Sequence, residues 1–370
     1  MNTFPTIVTS IYNIRKMEGS APKNNRQFDK YIELADQFIL TLPYPLMIFM
    51  DESLNPNTDP ELQELEKIIN KKRTKFQGKT FICREKFENT YFYKDVERIK
   101  HLQTKFTILN GNPPHETPHY ITLTNNKFYF IEKAIDINFA NSSHFIWMDF
   151  GINHVAKDPD TINDWILHIP DKIKQLCINP YIDSGEHKEI FRNTWHHTAA
   201  GLFSGNTENM KLYIKLFKER LDQVYAEEWY QLEEAIMAIV QRENPDLFEF
   251  FYGDYDGIIA NYVEAKYSLH IIFAGLKKCL LHNNTRFAYN VVRYLDSYFL
   301  KEENQGTAYF YEYINYNIIC CYYQNDALLY VNALDLINKC LLKGDGNMRV
   351  LLEQNRSNLA YYKNRGLILL

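Results

Sequence analysis

The segment Trp147-Met148-Asp149-Phe150-Gly151-Ile152-Asn153-His154 puts a carboxylate at the end of an apolar run and a glycine two residues later. A hard divalent cation bridging a diphosphate needs that arrangement, a carboxylate at a sheet edge with open backbone beside it for the phosphates. The plainer reading is an aspartate that closes a strand for turn reasons. Three further segments carry candidate chemistry. His196 to Gly205 (HHTAAGLFSG) is dense in small residues and reads either as a loop that a substrate can approach closely or as an ordinary turn. Glu233 and Glu234 open an otherwise apolar helix, EEAIMAIV. One of the two is expected to face the core, where a carboxylate needs a partner or a task. The competing reading is a solvated helix start, favoured by the helix dipole. Phe251 to Gly257 (FYGDYDG) sets Asp254 and Asp256 among glycines after the strand-like LFEFFY, a pattern that also suits a surface turn.

The elements that must position these residues follow from hydrophobic periodicity. Pro5–Ile11 (PTIVTSI) has the β-branched density of a buried strand, and the polar stretch Tyr12–Arg26 follows it. Phe28–Leu40 spaces Tyr31, Leu34, Ala35 and Phe38 as a helix does, and Pro43 and Pro45 break it. LMIFMD (46–51) reads as a second strand, KTFICRE (79–85) as a third after a mixed-charge helix that begins past Asp59–Pro60, and HFIWMDFGI (144–152) as a fourth. A polar connection through Pro113–Pro114 leads to a helix over Lys127–Ile137. Strands that are apolar on both faces and alternate with helices predict an α/β fold with a mostly parallel, helix-covered sheet. Ligands of such sheets bind at the carboxyl ends of the strands, where Ser10, Asp51, Arg84 and Asp149 fall. From about Tyr267 the pattern changes to successive helical stripes rich in Tyr, Phe and Leu, which predict an all-helical C-terminal domain over 266–370, tetratricopeptide-like in its hairpins, after an α/β domain over 1–265.

Composition limits the function classes. With 370 residues, 46% hydrophobic and 24% charged, the chain has the make-up of a soluble globular protein with two domains. A net charge of −5 gives no basic stripe for nucleic acid. No apolar run reaches the roughly 18–20 residues of a membrane span, and the start of the chain lacks the basic n-region of a signal peptide. A cytoplasmic location is expected. The six cysteines show no C-x-x-C spacing and read as buried reduced thiols.

The segments TIVTSIYNIRK, LMIFMDE, NKFYFIEKAIDINF with HFIWMDFGI, HTAAGLFSGNTENM, EEAIMAIV and NPDLFEFFYGDY occur in an order that resembles the HtrL/YibB family, over roughly Thr6 to Tyr262. The resemblance implies a GT-A-like, Rossmann-type nucleotide-sugar glycosyltransferase. Asp149 then stands where a D-x-D motif binds its metal, Mn²⁺ or Mg²⁺, although Gly151 replaces the second carboxylate. Thr9, Ser10, Tyr12, Arg15, Asp51, Lys127 and Gly151 are implied on the donor side, with Lys127 or Arg15 on the phosphates. His197, Gly201 and Asp254 fall in the acceptor or phosphate region. Glu233 and Glu234 form an acidic pair on an acceptor-side helix, one of them a base for the acceptor hydroxyl. The implied partners are a UDP-sugar donor and a glycan or protein acceptor, with a homodimer through the helical tail as a further expectation. Two other functions compete: a nucleotidyltransferase, which normally carries a closely spaced acidic pair, and a catalytically degenerate interaction protein that uses its tail.

Overall fold

Alternate residues of Thr6–Ile11 (β1) enter two different hydrophobic clusters: Val8 joins one, Ile7 and Ile11 the other. Such two-sided burial marks a strand covered by helices on both faces. The computed structural model describes residues 4–15, 28–52, 60–112, 116–179, 188–324, 326, 333, 335–340 and 346–354. The polar stretch past Arg15, Asp59, the Pro113–Pro114 connection and much of the last two expected helices lie outside the described residues.

Seven described strands form one sheet: β1, Leu46–Met50 (β2), Thr80–Arg84 (β3), His144–Met148 (β4), Ile173–Cys177 (β5), Thr198–Asn206 (β6) and Phe248–Tyr252 (β7). Their order is β3-β2-β1-β4-β6-β5-β7, all parallel except β6, which runs antiparallel to both its neighbours. The chain leaves β1 toward β2 and β3 on one side and returns to β4 on the other. The gap between the carboxyl ends of β1 and β4 is therefore a topological switch point, the place where open α/β sheets leave a crevice.

Pro118–Ile137 (α4) crosses one face of this sheet. Thr117 caps it, accepting a hydrogen bond from Tyr120 N at 3.2 Å, and Pro118 sits in its first turn, where a missing N–H costs nothing. Phe28–Gln37 (α1) and Pro60–Arg73 (α2) cover the opposite face, and Val96–Gln103 (α3) packs beside α4. Thr207–Ala226 (α5) and Glu233–Glu243 (α6) join α4 in the first cluster. Past residue 268 the described elements are helices, among them Leu269–Leu281 (α7), Thr285–Phe299 (α8), Ala308–Gln324 (α9) and Gly346–Gln354 (α10). These helices build a third cluster that also takes in Cys177 of β5 and Tyr252 of β7, so the aromatic stripes close over the β7 end of the sheet. Tyr294 donates to Asn261 O at 2.5 Å across the same junction.

Two expectations change. The small-residue run expected as a loop is β6, a nine-residue strand between β4 and β5. Alanine and glycine are poor strand formers alone, and pairing on both edges overrides that preference. The segment IKQLC, for which sequence reading gives no strand, is β5. Gln175 accepts from Tyr213 at 2.9 Å, and Lys174 reaches Glu249 at 2.6 Å. All six cysteines are free and five are buried. Among the described residues no helix is long and apolar enough to cross a membrane.

Candidate functional site

A cavity of about 450 Å³ opens at the switch point. Ser10, Tyr12 and Arg15 line it from the end of β1, Asp149 and Gly151 from the end of β4, Lys127 from α4, Glu233 and Glu234 from the start of α6, and Gly201 from β6. Nine of the thirteen site residues expected from sequence thus meet in one place. Tyr120, Thr124 and Lys127 share a face of α4 by their i, i+4, i+7 spacing, and that face is turned to the cavity.

Four expected residues do not line it. Thr9 is fully buried within the sheet. Asp51, after β2, is 1% exposed, and its charge acts on Tyr12, whose phenol is pushed up by burial and then by the charges of Glu85 and Asp51. Its strand end lies one strand away from the crevice, so position at a carboxyl end was not enough. Asp254 accepts from Tyr255 N at 2.7 Å and caps the turn after β7, the role of a surface-turn aspartate. His197 points away from the cavity toward Asn179 O, 3.4 Å from its Nδ1, and burial pushes its pKa down to about 4.

The centre of the cavity is an ion cluster. Lys127 Nζ stands 2.8 Å from Glu233 Oε1 and 3.1 Å from Asp149 Oδ1, and donates to Ala200 O at 3.1 Å. Burial alone would strip its proton, but the two carboxylates outweigh burial and hold the ammonium charged above its ordinary range. Glu233, fully enclosed, is shifted upward by desolvation against the pull of Lys127. Asp149 is fixed by Trp147 Nε1 at 2.7 Å and by its own N–H on Gly201 O at 2.9 Å. A Cβ on Gly201 would meet Ile258 at 3.1 Å, tighter than ordinary contact, and would lie 3.6 Å from Asp149 Oδ2. A Cβ on Gly151 would come within 2.9 Å of the Tyr31 ring.

Glu234 faces the other way. It accepts from Ala200 N at 3.1 Å and from Tyr255 Oη at 2.8 Å, and lies 3.3 Å from His196 Nδ1. Sequence reading passed over His196 and Tyr255. Neither has a local signature, since both acquire their role only when β6, α6 and the β7 turn converge.

Among the described residues no three His, Cys, Asp or Glu side chains group as a metal cage. Asp149 alone offers oxygens to the cavity from β4, and Lys127 bonds to both of them. A single carboxylate suits a divalent ion whose remaining ligands are phosphate oxygens and water, the common way of holding Mg²⁺, and does not suit an ion bound by protein alone. The lining charge agrees. Asp149, Glu233 and Glu234 outnumber Lys127 and Arg15 by one, so a polyanion entering here needs a cation with it.

Fold and site together define an α/β protein with a cavity at the switch point of its sheet, lined by apolar side chains around a charged cluster. Residues 4–263 match the family described as "Bacterial protein of unknown function (HtrL_YibB)", and the chain belongs to that family. It is 22% identical over 265 residues to Protein HtrL of Escherichia coli (strain K12), an alignment that covers 68% of this chain and 89% of the relative. The match ends before α7, so the helices after it lie outside the family region.

Proposed function

We propose that the cavity binds a nucleoside-diphosphate sugar, a UDP-sugar by preference, and that the protein is a GT-A-like glycosyltransferase acting on a glycan or protein hydroxyl. The observation that carries this reading is Arg15. Its Nη1 is buried without a hydrogen-bond partner among the described residues, and Arg15 lines the same cavity as Asp149. A buried guanidinium nitrogen left open calls for an anion, and the accessible Asp149 carboxylate in the same lining can take a cation beside Lys127. A diphosphate with its metal supplies both.

In this reading Arg15 and Lys127 hold the diphosphate by charge-assisted hydrogen bonds, and Ser10 and Tyr12 at the end of β1 face the nucleoside. A Mn²⁺ or Mg²⁺ ion on Asp149 would neutralise the departing diphosphate. Trp147 and Lys127 keep the Asp149 carboxylate oriented, and the small residues of β6 let the sugar approach the backbone. Thermal-shift titration tests the reading. UDP should stabilise the protein in the presence of Mn²⁺ and much less without it. A preference for UTP over UDP would favour nucleotidyl transfer, and no response to either would remove the donor site.

A further inference from the structure

His196 Nδ1 lies 3.1 Å from Tyr255 Oη and 3.3 Å from Glu234 Oε2. Tyr255 donates its own proton to Glu234 Oε1 at 2.8 Å, so its oxygen is left to accept. A carboxylate likewise only accepts. Both neighbours therefore require the ring proton on Nδ1, which leaves Nε2 of the neutral imidazole as a bare lone pair. No described residue bonds to Nε2, and the ring lines the cavity.

The placement is built at a cost. His196 has φ 43°, a left-handed backbone that a non-glycine residue adopts only when its surroundings enforce it. Asn179 Nδ2 enforces it here, donating to the carbonyls of Trp195 at 3.1 Å and His196 at 3.3 Å. Ala200 N on β6 fixes Glu234 in turn.

We propose that His196 is the general base that deprotonates the acceptor hydroxyl, with Glu234 and Tyr255 as its positioning residues. The assignment rests on the donor-sugar reading above and takes the base role from the Glu233–Glu234 pair. The acceptor O–H proton passes to Nε2, and the freed oxygen bonds to the anomeric carbon. The bond from that carbon to the diphosphate oxygen breaks, and its electron pair leaves on the diphosphate. The imidazolium then returns its proton to solvent at its half-exposed edge. Glu233 is unsuited to this task because Lys127 engages its carboxyl in an enclosed site.

The charged and titratable groups facing the ring are Glu234 on α6, Asp254 and Tyr255 in the turn after β7, Glu116 ahead of α4, and the neighbouring His197. The hydrogen bond that Nδ1–H donates to Glu234 raises the pKa of His196 above an ordinary histidine's, against burial. Turnover should therefore fall as pH drops through that raised value.

The test uses the full chain with Mn²⁺, UDP and the common UDP-hexoses, with water as acceptor. Long-range ¹H–¹⁵N NMR reads the His196 tautomer, and calorimetry reads UDP affinity. The Nδ1–H tautomer is expected in the free protein. His196→Gln should lose on the order of a hundredfold in kcat for donor hydrolysis, with UDP affinity within about twofold of wild type. Added imidazole should restore part of the rate to His196→Ala, and Glu234→Gln should move the acid limb of the pH profile downward. An Nε2–H tautomer, an undiminished His196→Gln, or a wild type that hydrolyses none of the donors overturns the assignment. Absence of UDP binding overturns the donor reading itself, and the calorimetric arm separates that failure from failure of the base alone.

Discussion

Two aspartates follow parallel strands on either side of β1 and meet opposite fates. Asp51 follows β2 and is 1% exposed, whereas Asp149 follows β4 with 41% of its side chain accessible and lines the cavity. Their local sequences, IFMDE and IWMDF, are nearly interchangeable. Topology separates them. β2 lies between β1 and β3, away from the switch point, whereas β4 and β1 flank the crevice there. A carboxylate at a strand end is therefore a site only where the winding reverses.

The largest expected effect comes from the group that ties Asp149 into place. Lys127→Met leaves Glu233 buried beside no cation, and removing one member of a buried ion pair costs about 3–5 kcal/mol. Urea unfolding should show a loss of that size. A loss below about 1 kcal/mol would mean that Glu233 is protonated and needs no partner.

The paired substitutions Asp149→Asn and Asp51→Asn test the contrast itself. Asp149→Asn should keep the fold and reduce metal-dependent donor hydrolysis by about two to three powers of ten, the usual worth of one electrostatic contact to a leaving group. Asp51→Asn should do the reverse, costing about 1–3 kcal/mol of stability as a disturbed buried polar group, with turnover largely kept. Equal effects on turnover would erase the distinction drawn here.

His197, which does not line the cavity, offers a weaker handle. Its folded pKa of about 4 lies below that of the unfolded chain, so the unfolded state binds more protons between those values. Stability should be full above the unfolded value and fall as pH drops toward 4, by at most about 3 kcal/mol for this group. Comparing wild type with His197→Gln isolates the contribution. The variant should show a shallower loss over that window, and parallel curves would count against a buried neutral ring.

Gly151→Ala is expected to be the mildest change. Its methyl would crowd Tyr31 at the cavity wall, and overpacking of this kind costs about 1–3 kcal/mol unless the ring moves. UDP affinity measured by calorimetry should fall with it. Unchanged affinity would place the donor away from Gly151.

How much of this could be read in the sequence depends on whether a residue's environment is local. The strands β1, β2, β3, β4 and β7 announce themselves by dense apolar and β-branched runs, and Glu233 by its place at the head of an apolar helix. Gln175 and Lys174 hide β5 because their partners, Tyr213 and Glu249, are remote in sequence. β6 hides because its alanines and glycines carry no strand signal of their own, and its pairing with β4 and β5 is a tertiary feature. His196 was missed beside His197 for the same reason, since Glu234 and Tyr255 reach it from 38 and 59 residues away.

The central claim is that Asp149 holds a cation which brings a nucleoside diphosphate into the switch-point cavity. Calorimetric titration of UDP into wild type and Asp149→Asn, each with and without Mn²⁺, tests it most directly. The account predicts that Mn²⁺ tightens UDP binding to the wild type by at least about tenfold, roughly 1.4 kcal/mol, and leaves Asp149→Asn unaffected. A wild type indifferent to Mn²⁺, or an Asp149→Asn variant that responds as the wild type does, would contradict it.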